Sequence, residues 1–386
     1  MKITRRQLGL TALAAPAAAQ TTMAQEASTY TGPLDNFHQQ VPAALFDPVT
    51  WARQRWAEAP RQMRFTAGTK KQAQAWQKKL RAKLTELLGP LPGGQGSLST
   101  KLLEKREFPG YIREKFIFES RPGVGVLAYL LRPKNAPAKV PVVICVPGHG
   151  RGVDDLVGID EKGRDRTKKV AYQYDYAVQV AELGVAALAI ELMGFGCRRD
   201  PINYKKSLGQ KACEPASGAA LLLGETMIGW RVFDMMRAID WVETRPDLDA
   251  KRVGCVGISG GGMATQFAAA LDGRIQAAFI SGYLNSFRDS VMSLAHCVDN
   301  YVPGILNWCE SSDIAGLIAP RPLFVESGDR DPIFPIEASR LAFGEVKKVY
   351  EVFGVPELTQ HEVFSAGHEF SGKGGLPFLV KHLRGA

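Results

Sequence analysis

The chain has 386 residues, of which 45% are hydrophobic and 23% charged, and its formal net charge is +9. This composition is typical of a globular protein and excludes a disordered or fibrous chain. The lysine pairs at 168–169, 205–206 and 347–348 are scattered, without interleaved aromatic residues, so the sequence predicts no nucleic-acid partner.

Residues 1–24 predict an export signal. Arg5 and Arg6 precede a mildly apolar, alanine-rich run from Leu8 to Ala19, which is typical of a twin-arginine signal. Ala17-Ala18-Ala19 offers a small-residue cleavage site, and Thr22-Met23-Ala24 is a second candidate. The apolar run is too short to span a bilayer, and no later run is long enough. We therefore expect a periplasmic or secreted protein without stable membrane insertion.

Residues 25–110 are predicted to form an N-terminal helical extension. Between Thr69 and Leu88, apolar residues recur at steps of three and four, which is typical of one apolar stripe on a helix. Gly89 and Pro90 end that helix.

Residues 111–386 predict a single α/β domain. Two strand-like runs joined at Pro122-Gly123 indicate a hairpin. Short apolar runs then alternate with helical stretches, and continuous apolar runs fit strands that are buried on both faces. We expect a mostly parallel central sheet with helices on both faces. The predicted strands after the hairpin are 140–146, 185–190, 252–258, 277–281, 322–326 and 362–364, and the predicted helices are 171–183, 226–244, 261–271 and 336–350.

Ser259 lies in the single Gly-x-Ser-x-Gly pattern of the chain, between the predicted strand 252–258 and the predicted helix 261–271. A strand, a sharp turn with serine at its tip and a helix are typical of the nucleophile elbow of the α/β-hydrolase fold. Gly257 and Gly261 fit this turn because side chains two residues from the serine would collide. The pattern predicts Ser259 as a catalytic nucleophile.

A serine nucleophile needs a base, and the base needs an acid that orients it. In this fold the chain order is serine, acid, histidine. His368, in the loop after the last predicted strand, is the favoured base, and His361 is the alternative. Asp331, after the preceding strand, is the favoured acid, with Asp329 as the alternative.

An oxyanion hole requires two backbone N–H groups directed at the developing negative charge. Gly260, directly after the nucleophile, is expected to supply one of them. The second is expected from the glycine-rich turn 147–152, where either His149 or Gly150 could donate; His149 is favoured.

Three residues are candidates for substrate binding. Arg198 and Arg199 follow a predicted strand and could hold an anionic group, or they could pair with carboxylates of the protein itself. Tyr301 lies in an insertion, residues 283–318, and loops of this kind build the site in such folds.

The six cysteines, at positions 145, 197, 213, 255, 297 and 309, form no CxxC pair. The sequence therefore predicts no metal site and no cofactor. Cys197 with Cys213 and Cys297 with Cys309 flank loops, and an oxidising periplasm would permit either pair to form a disulfide.

The chain resembles bacterial α/β hydrolases of the dienelactone-hydrolase and acetyl-xylan-esterase type, in particular a branch with an N-terminal helical extension. The resemblance implies a triad of Ser259, Asp331 and His368 that acts on carboxylic esters, with a small-molecule or polysaccharide ester as substrate. Pro147 stands where relatives often carry histidine, and Glu191 begins a segment that usually contains aspartate. The matching segments are 146–152, 194–196, 257–262, 296–304, 331–335 and 367–370.

The sequence thus predicts an exported serine carboxylic ester hydrolase that works through an acyl-enzyme. One alternative is a serine peptidase of the prolyl-oligopeptidase type, but residues 25–110 are too few for its propeller. A second alternative is a non-catalytic carbohydrate-binding protein on a hydrolase fold. A serine, an aspartate and a histidine in the expected order argue against that alternative. The oligomeric state is not predicted.

Overall fold

The computed structural model describes residues 43–90, 97–166, 168–170, 172–201, 212–294 and 296–385. The predicted export signal lies outside these ranges. One unit of the chain ends at Gln54, and a second begins at Arg55. The first is described only by a 3₁₀ turn, Ala43–Phe46, and by the start of helix α1 (Pro48–Glu58). None of the helices in the described ranges has the length and apolarity needed to cross a bilayer.

The second unit is built on one sheet of nine strands. The strands are β1 (Lys101–Glu107), β2 (Tyr111–Arg121), β3 (Val124–Pro133), β4 (Val140–Val146), β5 (Ala186–Ile190), β6 (Leu248–Ile258), β7 (Ile275–Ser281), β8 (Leu323–Gly328) and β9 (Thr359–Phe364). Their order in the sheet is β1-β2-β3-β5-β4-β6-β7-β8-β9. The neighbours β1, β2, β3 and β5 pair antiparallel, whereas every pair from β5 through β4 to β9 is parallel.

Helices cover both faces of this sheet. After α1, the α-helices of the described chain are α2 (Lys70–Leu87), α3 (Tyr176–Glu182), α4 (Glu214–Leu222), α5 (Met227–Glu243), α6 (Gly260–Leu271), α7 (Ser311–Gly316), α8 (Ile336–Phe353) and α9 (Gly375–Arg384). Helices α2, α5, α6 and α8 contribute to the larger apolar core on one face, and α3 and α9 contribute to the core on the other.

The two-sided burial explains the continuous apolar runs of the central strands. In β4, Val142 and Ile144 belong to one core, and Val143 and Cys145 belong to the other, because successive side chains of a strand point to opposite faces. The prediction of a mostly parallel sheet with helices on both faces is therefore confirmed.

Strand β1 corrects the prediction that the chain is helical up to residue 110. Lys101–Glu107 pairs with β2 as an antiparallel edge strand, and all seven of its residues are exposed. A strand with no buried face has no alternation of apolar and polar residues to reveal it. Backbone pairing with β2 stabilises it instead.

Helix α2 matches the helix predicted between Thr69 and Leu88. The Thr69 side chain caps it by accepting a hydrogen bond from the Gln72 amide. On its buried side, the Arg81 guanidinium donates to the carbonyl oxygen of Ala270, at the end of α6, over 2.9 Å. This helix therefore packs against helix α6, which belongs to the layer of helices that covers the sheet.

Candidate active site

The predicted catalytic groups follow the carboxyl ends of parallel strands. Ser259 follows β6, Asp331 follows β8, and His368 follows β9, while the turn 147–152 follows β4. Because parallel strands end at the same edge of a sheet, these loops meet there.

Ser259 lies on a sharp turn between β6 and α6. Its backbone φ of 58° is in the left-handed region, which is strained for a residue with a side chain. A hydrogen bond from its amide to the Ser281 carbonyl oxygen, 3.0 Å long, holds this conformation. A Cβ at Gly257 would lie 2.8 Å from the Val146 carbonyl oxygen, and one at Gly261 would lie 2.8 Å from that of Pro147. Only glycine allows the turn to pass this close to β4.

His368 is hydrogen-bonded to Asp331, with 2.7 Å between Nδ1 and Oδ2. The other carboxylate oxygen of Asp331 accepts hydrogen bonds from the amides of Ile333 and Phe334, over 2.9 and 3.1 Å. These two bonds fix the carboxylate so that its Oδ2 atom faces His368. The alternative acid, Asp329, instead accepts a hydrogen bond from the Ala366 amide.

The alternative base, His361, lies on strand β9. Its Nε2 atom is 3.0 Å from the Ser327 hydroxyl oxygen. Burial lowers the pKa of His361 to about 4, and Arg340 contributes further. His361 does not line the pocket that contains Ser259.

The ring of His368 lies between two aromatic rings, with centroids 5.9 Å from Tyr172 and 5.6 Å from Phe334. It also lies against Gly282, where a Cβ would be only 3.3 Å from the His368 Cε1 atom. The Nε2 atom is buried and has no hydrogen-bond partner among the described residues. His368 and Ser259 line the same pocket, so this nitrogen is available to a proton donor there.

That pocket is a cavity of about 400 Å³. This volume is within the range of sites that bind small molecules. Its walls combine polar and apolar side chains around the serine. The lining residues are His149, Tyr172, Ser259, Gly260, His296, Cys297, Asn300, Ile333, Phe334 and His368.

The predicted oxyanion residues lie next to each other. Gly260 is the first residue of α6, so its N–H has no acceptor within the helix. A Cβ at Gly260 would be 3.5 Å from the ring nitrogen Nδ1 of His149. The Tyr172 hydroxyl donates to the His149 carbonyl oxygen, and the Gln173 side chain accepts from the Gly148 amide. These bonds hold the turn beside the serine.

The predicted substrate-binding residues are not brought to the walls of this pocket. The Arg198 guanidinium pairs with the buried Asp234 carboxylate over 2.6 Å. This is the alternative that the sequence left open, in which the arginine pairs with a carboxylate of the protein itself. Arg199 donates to the Gly196 carbonyl oxygen over 2.7 Å. The Tyr301 hydroxyl donates to the Val291 carbonyl oxygen over 3.1 Å.

Neither of the candidate disulfides, Cys197 with Cys213 or Cys297 with Cys309, is formed between these described residues. The structure instead brings Cys213 and Cys297 together, each near the Nε2 atom of His149. Asp299 completes a cluster of four groups. Sequence spacing could not reveal this cluster, because 64 residues separate His149 from Cys213 and 148 residues separate it from Cys297.

A buried carboxylate, that of Glu191, holds the loops on the β4 and β5 side of the site. It accepts hydrogen bonds from the amides of Val153 and Cys197. A Cβ at Gly152 or Gly196 would overlap its carboxylate group. Burial raises the pKa of Glu191 to about 8, against the lowering effect of these amides.

The buried Glu326 side chain likewise holds together the loops near His368. Its carboxylate accepts hydrogen bonds from the Ser281 hydroxyl over 2.7 Å and from the amides of Ser371 and Gly372 over 3.0 and 2.9 Å. Burial raises the pKa of Glu326 to about 7. The bonds tie the chain after His368 to the end of β7.

The model of a family described as the Abhydrolase family matches residues 58–365. The predicted hydrolase YtaP of Bacillus subtilis is 28% identical over 298 residues, which cover 75% of this chain and 92% of YtaP. Two solved structures are also similar. A predicted acetyl xylan esterase from Bacteroides fragilis has a TM-score of 0.71 at 20% identity, with 82% of each chain covered. A glucuronoyl esterase from Solibacter usitatus has a TM-score of 0.60 at 18% identity, with 80% of this chain and 94% of that chain covered.

The chain belongs to the Abhydrolase family, because the family model covers well over half of it. The two solved structures show that it shares their α/β-hydrolase fold. The predicted resemblance to α/β hydrolases is thus confirmed.

Proposed function

We propose that this chain is an exported serine carboxylic ester hydrolase that works through an acyl-enzyme. One observation carries the proposal: the hydrogen-bonded pair of His368 and Asp331 lies at the pocket that contains Ser259 on its sharp turn. Membership of the Abhydrolase family supports it.

In this mechanism the Ser259 hydroxyl oxygen attacks the ester carbonyl carbon while Nε2 of His368 takes the hydroxyl proton. Asp331 holds the ring through Nδ1 and stabilises the imidazolium that forms. The N–H groups of Gly260 and His149 donate to the carbonyl oxygen as negative charge develops on it. His368 then protonates the departing alcohol and activates the water that releases the acid.

We propose short acyl esters or methyl esters of carbohydrates as the substrates. Similar folds belong to proteins named for acetyl xylan and glucuronoyl esters. A cavity of about 400 Å³, with Phe334 and Ile333 beside Asn300, can receive both a small apolar group and a polar sugar. The test is an assay of acetate, methanol and ferulate released from a panel of polysaccharides. Release of none of the three would contradict this substrate class.

The catalytic proposal is tested with Ser259→Ala and p-nitrophenyl acetate. Loss of the nucleophile should lower the turnover rate by on the order of 10⁶-fold. Ser365→Ala, at an exposed serine outside the pocket, is the matched control and should keep full turnover.

Covalent labelling with a fluorophosphonate separates a catalytic protein from a binding protein with the same fold. We expect one label, on Ser259 of the wild type, and none on Ser259→Ala. Near-normal turnover by that variant, or a label on another residue, would contradict the proposal.

Export is tested by cell fractionation. The wild type should be processed and periplasmic or secreted, whereas the double variant Arg5→Lys with Arg6→Lys should stay unprocessed in the cytoplasm. Lys2→Arg is the control and should be exported normally. Export of the double variant at the wild-type level would overturn the twin-arginine assignment.

A further inference from the structure

Four side chains with metal-binding atoms converge beside the pocket. They come from His149, Cys213, Cys297 and Asp299, and their ligand atoms all lie within 4.8 Å of one another. The Nε2 atom of His149 is 3.5 Å from the Cys213 sulfur and 3.2 Å from the Cys297 sulfur. It is also 3.4 Å from Oδ2 of Asp299.

These spacings are those of the edges of a tetrahedral zinc site. Bonds of about 2.3 Å to sulfur and about 2.0–2.2 Å to nitrogen and oxygen place the ligand atoms about 3.4–3.6 Å apart when nitrogen is one of the pair. The three distances from His149 lie close to this range. Two thiols, one imidazole and one carboxylate also form a ligand set that zinc accepts.

The electrical charge of the cluster suits a dication. The Asp299 carboxylate already pairs with the buried Arg231 guanidinium over 2.7 Å, so that pair is neutral as it stands. Binding of Zn²⁺ by Cys213 and Cys297 forms two zinc–sulfur bonds and releases the two thiol protons to solvent. The Zn²⁺ ion brings two positive charges and the two released protons remove two, so the net charge of the buried cluster does not change.

The surroundings hold the ligands in place. The second oxygen of Asp299 accepts a hydrogen bond from the Asn300 side chain over 2.9 Å. The Phe195 ring contacts both the Arg231 guanidinium, 4.0 Å from its centroid, and the His149 ring, 4.3 Å between centroids. Partners of this kind, which orient the ligands of a metal, are typical of protein metal sites.

We propose that His149, Cys213, Cys297 and Asp299 bind one zinc ion that acts as a structural clamp at the wall of the active-site pocket. The ion would join the turn after β4, the residue before α4 and the 3₁₀ turn Val298–Asn300. All four positions are filled by protein atoms, as in structural rather than catalytic zinc sites. By fixing the His149 ring, the ion positions the backbone N–H of the same residue for the oxyanion.

A disulfide between Cys213 and Cys297 is the competing use of the two sulfurs. A disulfide would use only the two sulfurs, whereas both sulfurs and the Asp299 carboxylate lie within 3.5 Å of the same atom, Nε2 of His149. The convergence of all four groups therefore favours the metal.

The test is the metal content of the full-length protein, purified in zinc-containing buffer and dialysed without chelator. Mass spectrometry should find about one zinc ion per chain in the wild type and background levels in Cys213→Ser and in Cys297→Ser. Cys197→Ser, at an exposed thiol, and Cys309→Ser, at a buried thiol outside the cluster, are the matched controls and should keep the zinc. Ser259→Ala should also keep it, so the outcome does not depend on the proposed esterase activity.

A second measurement remains decisive if a serine variant fails to fold. Wild-type protein stripped of metal and loaded with Co²⁺ should show the near-ultraviolet charge-transfer absorption of thiolate bound to cobalt. A wild type that takes up neither metal would overturn the proposal. So would a Cys213–Cys297 disulfide found by peptide mapping without reductant, or normal zinc in a folded Cys213→Ser variant.

Discussion

The Nδ1 atom of His368 lies 2.7 Å from Oδ2 of Asp331, and this carboxylate is itself fixed by the amides of Ile333 and Phe334. The loop after β8 therefore sets the carboxylate position, and the carboxylate sets the orientation of the imidazole. We therefore expect changes at Asp331 to act through the orientation of the His368 ring.

Asp331→Asn should lower kcat for p-nitrophenyl acetate by on the order of 10⁴-fold with little change in fold, because an amide stabilises the wrong tautomer of the histidine. Asp329→Asn is the matched control two residues away. Its carboxylate bonds to the Ala366 amide and not to His368, so its kcat should stay near that of the wild type. Equal losses in the two variants would contradict the assignment of Asp331 as the orienting acid.

Gly261→Ala should destabilise the protein by about 1–3 kcal/mol and reduce esterase activity, because the new methyl group meets the backbone of β4. Gly344→Ala, at an exposed position of helix α8 with nothing within 4 Å of the new atom, is the control. That change should stabilise the protein by about 0.5–1 kcal/mol, since alanine favours a helix over glycine. Urea unfolding measures both. A neutral Gly261→Ala would show that the turn can move away from β4.

Glu191 should make stability depend on pH. Its pKa is raised by burial from 4.5 to about 8, so the protonated form favours the folded state. This contribution is complete below about pH 4.5 and is lost as the pH rises through about 8. Glu191→Gln stays neutral, so the unfolding free energy of the wild type relative to this variant should fall by on the order of a few kcal/mol between about pH 5 and about pH 9.

Urea unfolding across that pH range measures the difference, and any constant offset from changed hydrogen bonds leaves its slope unaffected. Glu357→Gln, at an exposed glutamate, is the control and should track the wild type at every pH. A wild type that runs parallel to Glu191→Gln would mean that Glu191 is ionised in the fold throughout.

Arg198→Met should affect stability rather than substrate binding. The guanidinium pairs with one oxygen of the fully buried Asp234 carboxylate, whose other oxygen keeps Arg121 as a partner over 3.1 Å. Loss of the Arg198 bond should therefore cost about 1.5–3 kcal/mol. KM for a carbohydrate ester should stay unchanged, because Arg198 does not line the pocket. Arg330→Met, at an exposed arginine, should change the stability by no more than about 0.5 kcal/mol. A raised KM at normal stability would return Arg198 to the substrate site.

Elements with a strong internal pattern were predictable. The helix between Thr69 and Leu88, the strand before Ser259 and the helix after it lie within a few residues of their predicted positions. Helix α2 has one buried side, which imposes a period on its sequence, whereas the end of β6 and nearly all of α6 are buried on every side and form mostly apolar runs on either side of the serine turn. Strand β1 has no buried face, and so no such pattern predicted it.

The same distinction applies to the candidate site. Ser259, Asp331 and His368 were proposed from local context, because each follows a strand of a fold whose strand ends meet. The pairing of Arg198 with Asp234 could not be chosen over a substrate contact, since 36 residues separate the two side chains.

By itself, the sequence determined the class of fold and the order of the candidate catalytic residues, since both depend on patterns within short segments. Only the tertiary structure decided that Cys213 lies beside Cys297 rather than in either disulfide considered from the sequence, and that His149 and Asp299 join them. The physical reason is that such contacts depend on how distant loops cross above the sheet, and local residue patterns carry no record of that crossing.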